Sequence, residues 1–162
     1  MRKILLLICV PAIFGMAACK KDYVVGQTAT PKTSNGWWVV LYVGTTQLTD
    51  PALLSTYNTS FSADSMWVDD LKNGYGFKSK VHLDYKAMTF SVTGSANSYF
   101  VGTPAFPATV TITGGKVLPK AGHSRAGNVA DSIYMQAVFS DDPGTTYTIT
   151  GTSRTGLIED DY

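Results

Sequence analysis

The sequence predicts an all-β domain: an antiparallel barrel of about eight short strands, with a β-sandwich as the alternative. Three observations predict it. Apolar side chains recur at every second residue through most of the chain after Gly36. Turn-forming residues punctuate the alternating segments. One stretch alone carries a helix signal, Asp50-Pro51-Ala52-Leu53-Leu54, where Asp50 would cap a single turn and Pro51 take its first position.

The elements follow in order. Residues 37–43 and 57–61 are rich in aromatic and β-branched side chains and are expected as strands, with 66–68 a third, shorter one. In 77–84, Phe77, Val81 and Leu83 share one face while Lys78, Lys80, His82 and Asp84 share the other. Residues 88–93 and 109–113 repeat this rhythm. Ile133, Met135, Ala137 and Phe139 make a further inward row, and Tyr147 and Ile149 another. Asn73-Gly74, Gly114-Gly115 and Asp142-Pro143-Gly144 are the expected turns. Sandwich and barrel share this alternation. Outward faces of Thr, Ser and Lys favour one closed sheet wetted outside.

The first residues have another character. Arg2 and Lys3 precede an apolar run at 4–14, broken by Pro11, and Met16-Ala17-Ala18-Cys19 supplies small residues for cleavage. This is a secretory signal, too short to span a bilayer. An apolar residue, two small residues and Cys19 resemble a bacterial lipobox. That resemblance implies cleavage after Ala18, a diacylglyceryl group on the Cys19 sulfur, and acylation of the new amino terminus. Each buried CH₂ contributes about 0.8 kcal/mol, so more than one chain anchors stably. An ordinary signal peptide with a chance cysteine is the alternative. Lys20-Lys21-Asp22 resembles the charged tag of surface-exported lipoproteins in some Gram-negative lineages. The expected organisation is a signal peptide at 1–18, the lipidated Cys19 with a polar linker at 19–35, and a barrel domain at 36–162. The expected location is the cell envelope, on the outer membrane of a Gram-negative bacterium, with the Cys19 lipid as the membrane contact.

Cys9 would leave with the signal and Cys19 would carry lipid, so the domain has no thiol chemistry. Losing Arg2 and Lys3 takes the formal charge from +1 to −1. This balance, without a basic stripe, excludes a nucleic-acid partner. The remaining length suits one domain with a real core. The sequence assigns no oligomeric state.

No catalytic constellation is visible. His82 belongs to a polar strand face. Gly122-His123-Ser124-Arg125-Ala126 nearly reads as a nucleophile elbow, but Ala126 replaces the second glycine and no helix pattern follows. Asp64, Asp69, Asp70 and the run Glu159-Asp160-Asp161 lack calcium-loop spacing and read as acidic turns and a charged tail. No metal and no cofactor is expected. Asp64-Ser65-Met66 and Asp131-Ser132-Ile133 resemble an O-glycosylation acceptor, with turn residues leading into strands as the preferred reading.

Several segments in order resemble a known family: Gly36-Trp37-Trp38-Val39-Val40, Tyr57-Asn58-Thr59, Met66-Trp67-Val68-Asp69-Asp70, Phe77-Lys78-Ser79-Lys80-Val81, Gly115-Lys116-Val117-Leu118, Asp131-Ser132-Ile133-Tyr134, Asp141-Asp142-Pro143-Gly144 and Gly151-Thr152-Ser153-Arg154-Thr155-Gly156. They resemble the bacterial lipoproteins called lipid-binding putative hydrolases. The resemblance spans nearly all of 36–162. It implies a lipocalin-like, calycin-type β-barrel and brings no active-site residues with it.

Aromatic residues are the remaining signal. They can fill a small barrel, or line an apolar pocket for a lipid or other hydrophobic molecule. The resemblance tilts towards a pocket, with Tyr57, Trp67, Phe77, Phe90, Met135 and Tyr147 as its candidate lining. Residues 94–107, with Tyr99, Phe100 and Phe106, and 119–131 are the expected mouth, and 94–107 is expected to cap one barrel end. The alternatives are an accessory surface lipoprotein with a filled barrel that binds a protein or glycan, and a lipid or ester hydrolase. The pocket reading needs an internal cavity, the accessory reading an exposed aromatic patch, and the hydrolase reading His123 and Ser124 beside a carboxylate.

Overall fold

The computed structural model describes residues 32–100 and 106–162. The expected signal peptide, Cys19 and most of the expected linker lie outside them. Among the described residues there are nine strands: β1 (Asn35–Val43), β2 (Thr46–Gln47), β3 (Ala52–Asn58), β4 (Ser65–Asp69), β5 (Lys78–Asp84), β6 (Thr89–Ala96), β7 (Thr109–His123), β8 (Val129–Phe139) and β9 (Asp142–Ser153). β1 and β3–β9 run up and down, each pairing antiparallel with the next. β9 then returns to β1, from Trp37 opposite Ser153 to Val43 opposite Tyr147. The result is a closed eight-stranded barrel, lipocalin-like in form, and the sandwich alternative falls away. β2 is a short flap on the end of β1, with Tyr42 opposite Gln47. Closure leaves the main strands no free edge.

Alternation decides what fills the barrel. Along β1, Trp37, Val39 and Leu41 point inward, and along β5 Ser79, Val81 and Leu83 do. All of these except the polar Ser79 join Leu54, Met66, Val68, Phe90, Val110, Ile112, Ile133, Met135, Ala137, Phe139 and Ile149 in one core. Burying such side chains stabilises the fold by about 1.5–3 kcal/mol each.

Up-and-down order sorts the connections between two ends. The distal end gathers the loops at 44–51, 70–77 and 140–141 with the described part of the β6–β7 connection. The entry end gathers the chain before β1, the loops at 59–64, 85–88 and 124–128, and the C-terminal segment with its 3-10 turn (Ile158–Asp160).

Four local expectations are corrected. Asp50–Leu54 forms no helical turn; Ala52 already begins β3, whose backbone bonds to β1 outweigh the local cap signal. β3 ends at Asn58, leaving Phe61 in a loop. Gly114-Gly115 is not a turn but a bulge inside β7, where the register with β8 slips between Thr113 and Lys116 and Gly114 has φ +61°. A side chain on Gly115 would strike Phe90, at 2.4 Å from its ring. The last hairpin turns at 140–141, and Pro143 falls at the start of β9, where a strand tolerates proline.

Candidate functional site

Three places hold the chemistry that the sequence singled out: the barrel interior, its outer wall at β3–β5, and the entry end. The interior comes first. Trp37, Met66, Ile112, Ile133 and Met135 have no accessible surface. They are packed against their neighbours at the density usual for protein interiors. The mid-barrel is packed with side chains, as eight strands permit.

The distal end differs. Phe77, Phe139 and Tyr147 project into it, and Tyr75 reaches over from the 70–77 loop. Tyr75 stacks on Phe139 with ring centroids 3.7 Å apart and planes 2° apart. Tyr147 meets both rings edge-on, at 4.9 and 5.4 Å, and Phe77 lies 5.4 Å from Phe139. The hydroxyls are tethered outside the core: Tyr75 donates to Asp141 at 3.1 Å and Tyr147 to Asp142 at 2.8 Å. Burial first, then Asp142, pushes the Tyr147 phenol above its ordinary value. Beside this quartet is an apolar cavity of about 20 Å³, bordered by Val39, Leu41, Leu54, Tyr75, Phe77 and Ile149.

The loop that carries Tyr75 is fixed at its root. Asp70 accepts the backbone N–H groups of Gly76 at 2.6 Å, and of Phe77 and Lys72 at 2.9 Å. Burial pushes the Asp70 carboxyl up despite those three donors. Fully buried Asn97 ties the β6–β7 connection to the same loop, accepting from Lys78 N–H and donating to the Gly76 carbonyl. Phe100 lies over Gly76 and stacks on Phe106 at 4.7 Å. The described residues of 94–107 thus pack against the distal end, while Gly94 to Ala96 still belong to β6. Residues 119–131 do not join this mouth. They belong to the β7–β8 hairpin at the opposite end, because β7 continues to His123.

The six expected pocket residues therefore divide. Phe77, Phe90, Met135 and Tyr147 face inward. Tyr57 and Trp67 face outward, since Leu54 and Thr56 take the inner positions of β3, and Met66 and Val68 those of β4. Outside, Trp67 stands between Tyr57 of β3 and Lys80 of β5. Asp69, almost fully buried, accepts the Tyr99 hydroxyl at 2.5 Å and the Tyr57 hydroxyl at 2.8 Å, with the Lys78 ammonium at 3.6 Å. Burial opposes its charge, but the two phenols, the Leu71 N–H and Lys78 outweigh that and hold its carboxyl below the usual range. Sequence reasoning missed Tyr75 and the Tyr99–Asp69 contact. The first had a signal, an aromatic residue in a glycine-flanked turn; the second joins residues thirty positions apart and had none.

At the entry end, Asp160 is 1% exposed. Its carboxylate takes the Thr155 hydroxyl at 2.6 Å, Ala126 N–H at 2.9 Å and the Asn128 amide at 3.2 Å. The Ser124 hydroxyl, foremost of these partners, and Thr155 hold this carboxyl far below the usual range. The acidic run, expected as a charged tail, is a clamp across the β7–β8 loop. Ser124 is spent on that clamp, since its oxygen also accepts Asn128 N–H at 3.0 Å. No hydrogen bond joins exposed His123 to Ser124 or Asp160 among the described residues. Ser65, in the first glycosylation-like triplet, is buried against Ser62 and Thr59.

No curated protein matches the chain significantly. A family model does, over residues 22–158, and its description combines lipid binding with a proposed hydrolase activity. The match takes in the whole barrel, so the chain belongs to the family of lipid-binding putative hydrolases.

Proposed function

We propose that the protein is a lipid-anchored cell-envelope protein that takes the apolar part of a lipid, or a similar hydrophobic molecule, into the distal end of its barrel. Cys19 is its anchor, and the outer membrane of a Gram-negative bacterium its location. The observation that carries this reading is the Tyr75–Phe139 stack beside an apolar cavity. A space of about 20 Å³ holds one water at most. A hydrophobic ligand therefore enters by displacing the Tyr75 ring, whose loop carries Gly74 and Gly76. Val39, Leu41, Leu54, Phe77 and Ile149 then form its walls, and the sealed side chains below limit its depth.

The polarity of the barrel suits an anchored binder. The chain enters at the end opposite the stack, so the binding end is the one turned away from the tether. Family membership supports a hydrophobic ligand. The commitment of Ser124 to Asp160 and Asn128 favours binding over hydrolysis at that loop.

Native mass spectrometry of the purified full-length product, with lipid extraction of the same sample, tests the reading. The expected result is a stoichiometric apolar adduct lost on denaturation, with higher occupancy after incubation of Tyr75→Ala with mixed membrane lipids. A protein that stays bare in both forms overturns it.

A further inference from the structure

A second feature lies outside the barrel and owes nothing to the lumen. Rings and cations alternate along the outer wall of β3–β5. The Lys80 ammonium sits 4.3 Å from the Phe61 ring centroid and 5.5 Å from that of Trp67. The Lys78 ammonium is 5.4 Å from both Tyr57 and Trp67. Lys72 lies 4.9 Å from Tyr99. Asp69 is the carboxylate that this group encloses, and the phenols of Tyr57 and Tyr99 already satisfy it. Phe61 is 75% exposed, so its ring stays open to solvent although Lys80 and a backbone bond to Thr59 position it. Farther along the same face of β5, His82 borders a shallow hollow of about 420 Å³.

The strip is poorly explained as a stabilising device. Exposed cation–π contacts contribute only about 0.5–1 kcal/mol each. Lys78 and Lys80 share one face of a strand, about 7 Å apart, and repel each other. Three ammonium groups stand against the carboxylates of Asp69 and, beside Lys72, Asp70, which leaves the strip one positive charge in excess on a chain that is nearly neutral. A complementary partner offers negative charges at intervals, together with apolar faces for the rings between them.

We propose that this wall binds an acidic polysaccharide whose sugars carry carboxylates, with its C–H faces on Trp67, Tyr57 and Phe61 and its carboxylates on Lys72, Lys78 and Lys80. A nucleic acid fits less well, because the chain lacks the broad positive field that phosphate backbones require. An anionic membrane fits less well, because the strip lies along the barrel wall, whereas the chain leaves for its tether from the entry end.

Affinity electrophoresis of the full-length product tests this, with polygalacturonate, neutral dextran or polyuridylate in the gel. Polygalacturonate is expected to retard the protein, and dextran and polyuridylate not. Losing two cations or the central ring, in Lys78→Gln/Lys80→Gln or Trp67→Ala, weakens retardation roughly fivefold or more. Phe61→Ser weakens it without touching the core, and Tyr75→Ala leaves it unchanged, which separates this wall from the lumen. No retardation by polygalacturonate, full retardation of Lys78→Gln/Lys80→Gln, or equal retardation by polyuridylate would each overturn the proposal.

Discussion

Gly151 of β9 lies across the closing seam from Trp38, and a methyl group placed on it would come 1.9 Å from the Trp38 carbonyl oxygen. Gly151 pairs with Val39 on one side and Ile133 on the other, so it is held between two strands where the barrel shuts. The nearest atoms are backbone, which cannot step aside without parting β1 from β9. Gly151→Ala is therefore expected to cost about 3 kcal/mol, the upper part of the range for overpacking. A methyl group on Gly144 would meet nothing within 4 Å, and Gly144→Ala should stay within about 0.5 kcal/mol of the parent. Urea unfolding of the two variants measures both.

The aromatic quartet separates stability from opening. Phe139 is fully buried and touches the other three rings. Phe139→Ala should cost about 3–5 kcal/mol, as for other buried aromatic truncations. Tyr75 is half-buried on a loop, and its removal forfeits mainly ring–ring contacts, about 0.5–1.5 kcal/mol per pair. Tyr75→Ala should remain folded and bind a hydrophobic dye more strongly than the parent. Thermal unfolding and dye fluorescence on the same samples check the pair, and unchanged dye binding would contradict a displaceable Tyr75.

Which parts of the fold and site are legible in the sequence follows from how each side chain is placed. Phe77, Val81 and Leu83 can be assigned inward because lysines, histidine and aspartate mark the opposite face. Trp67 cannot, because Met66-Trp67-Val68 is apolar throughout and local alternation has no phase there. Its phase is set by Ser65 and Asp69, which share its outer face. Tyr57 misleads for a related reason. Size suggests that an aromatic ring is buried and its threonine neighbour exposed, yet Thr56 is inside because it answers buried polar atoms. A one-residue change of phase exchanges every side chain between faces. The Gly114-Gly115 bulge reads as a turn because two glycines suit either, and only the Phe90 ring across the sheet distinguishes them. The Asp160 clamp depends on contacts more than thirty residues distant in sequence, which no local pattern encodes.

Thr56 supplies the next expectation. It is 2% exposed. Its hydroxyl accepts the Trp37 indole N–H at 2.8 Å and donates to the Thr33 carbonyl, tying the residues before β1 to the core. Thr56→Val keeps the shape but strands a buried indole donor. An unsatisfied buried group costs about 1–3 kcal/mol, and that loss should appear in urea unfolding followed by tryptophan fluorescence. Ser34, half-buried and bonded to Asn58 at 3.3 Å, is the control: Ser34→Ala should change stability by less than about 0.5 kcal/mol.

The entry-end clamp should give the protein an acid-sensitive seam. The Asp160 carboxyl is lowered by the Ser124 hydroxyl first and Thr155 next, with Ala126 and Asn128 adding to them against the opposing effect of burial. A carboxyl lowered in the folded state contributes stability that is fully present above its unfolded value, near pH 4. The contribution is lost as pH falls from there through the folded value. Asp161 follows the same sign, held down foremost by Arg154, whose guanidinium meets it at 2.6 and 2.8 Å. Between about pH 4 and pH 2 the C-terminal segment should therefore release, exposing Trp38, whose ring lies 5.5 Å from Tyr162. Asp160→Asn keeps the size and removes the charge. It should lower the melting temperature at neutral pH and flatten the fall in stability on acidification. Melting curves from pH 7 to pH 2 decide the matter: parallel profiles for parent and variant would show that Asp160 is not the group that titrates.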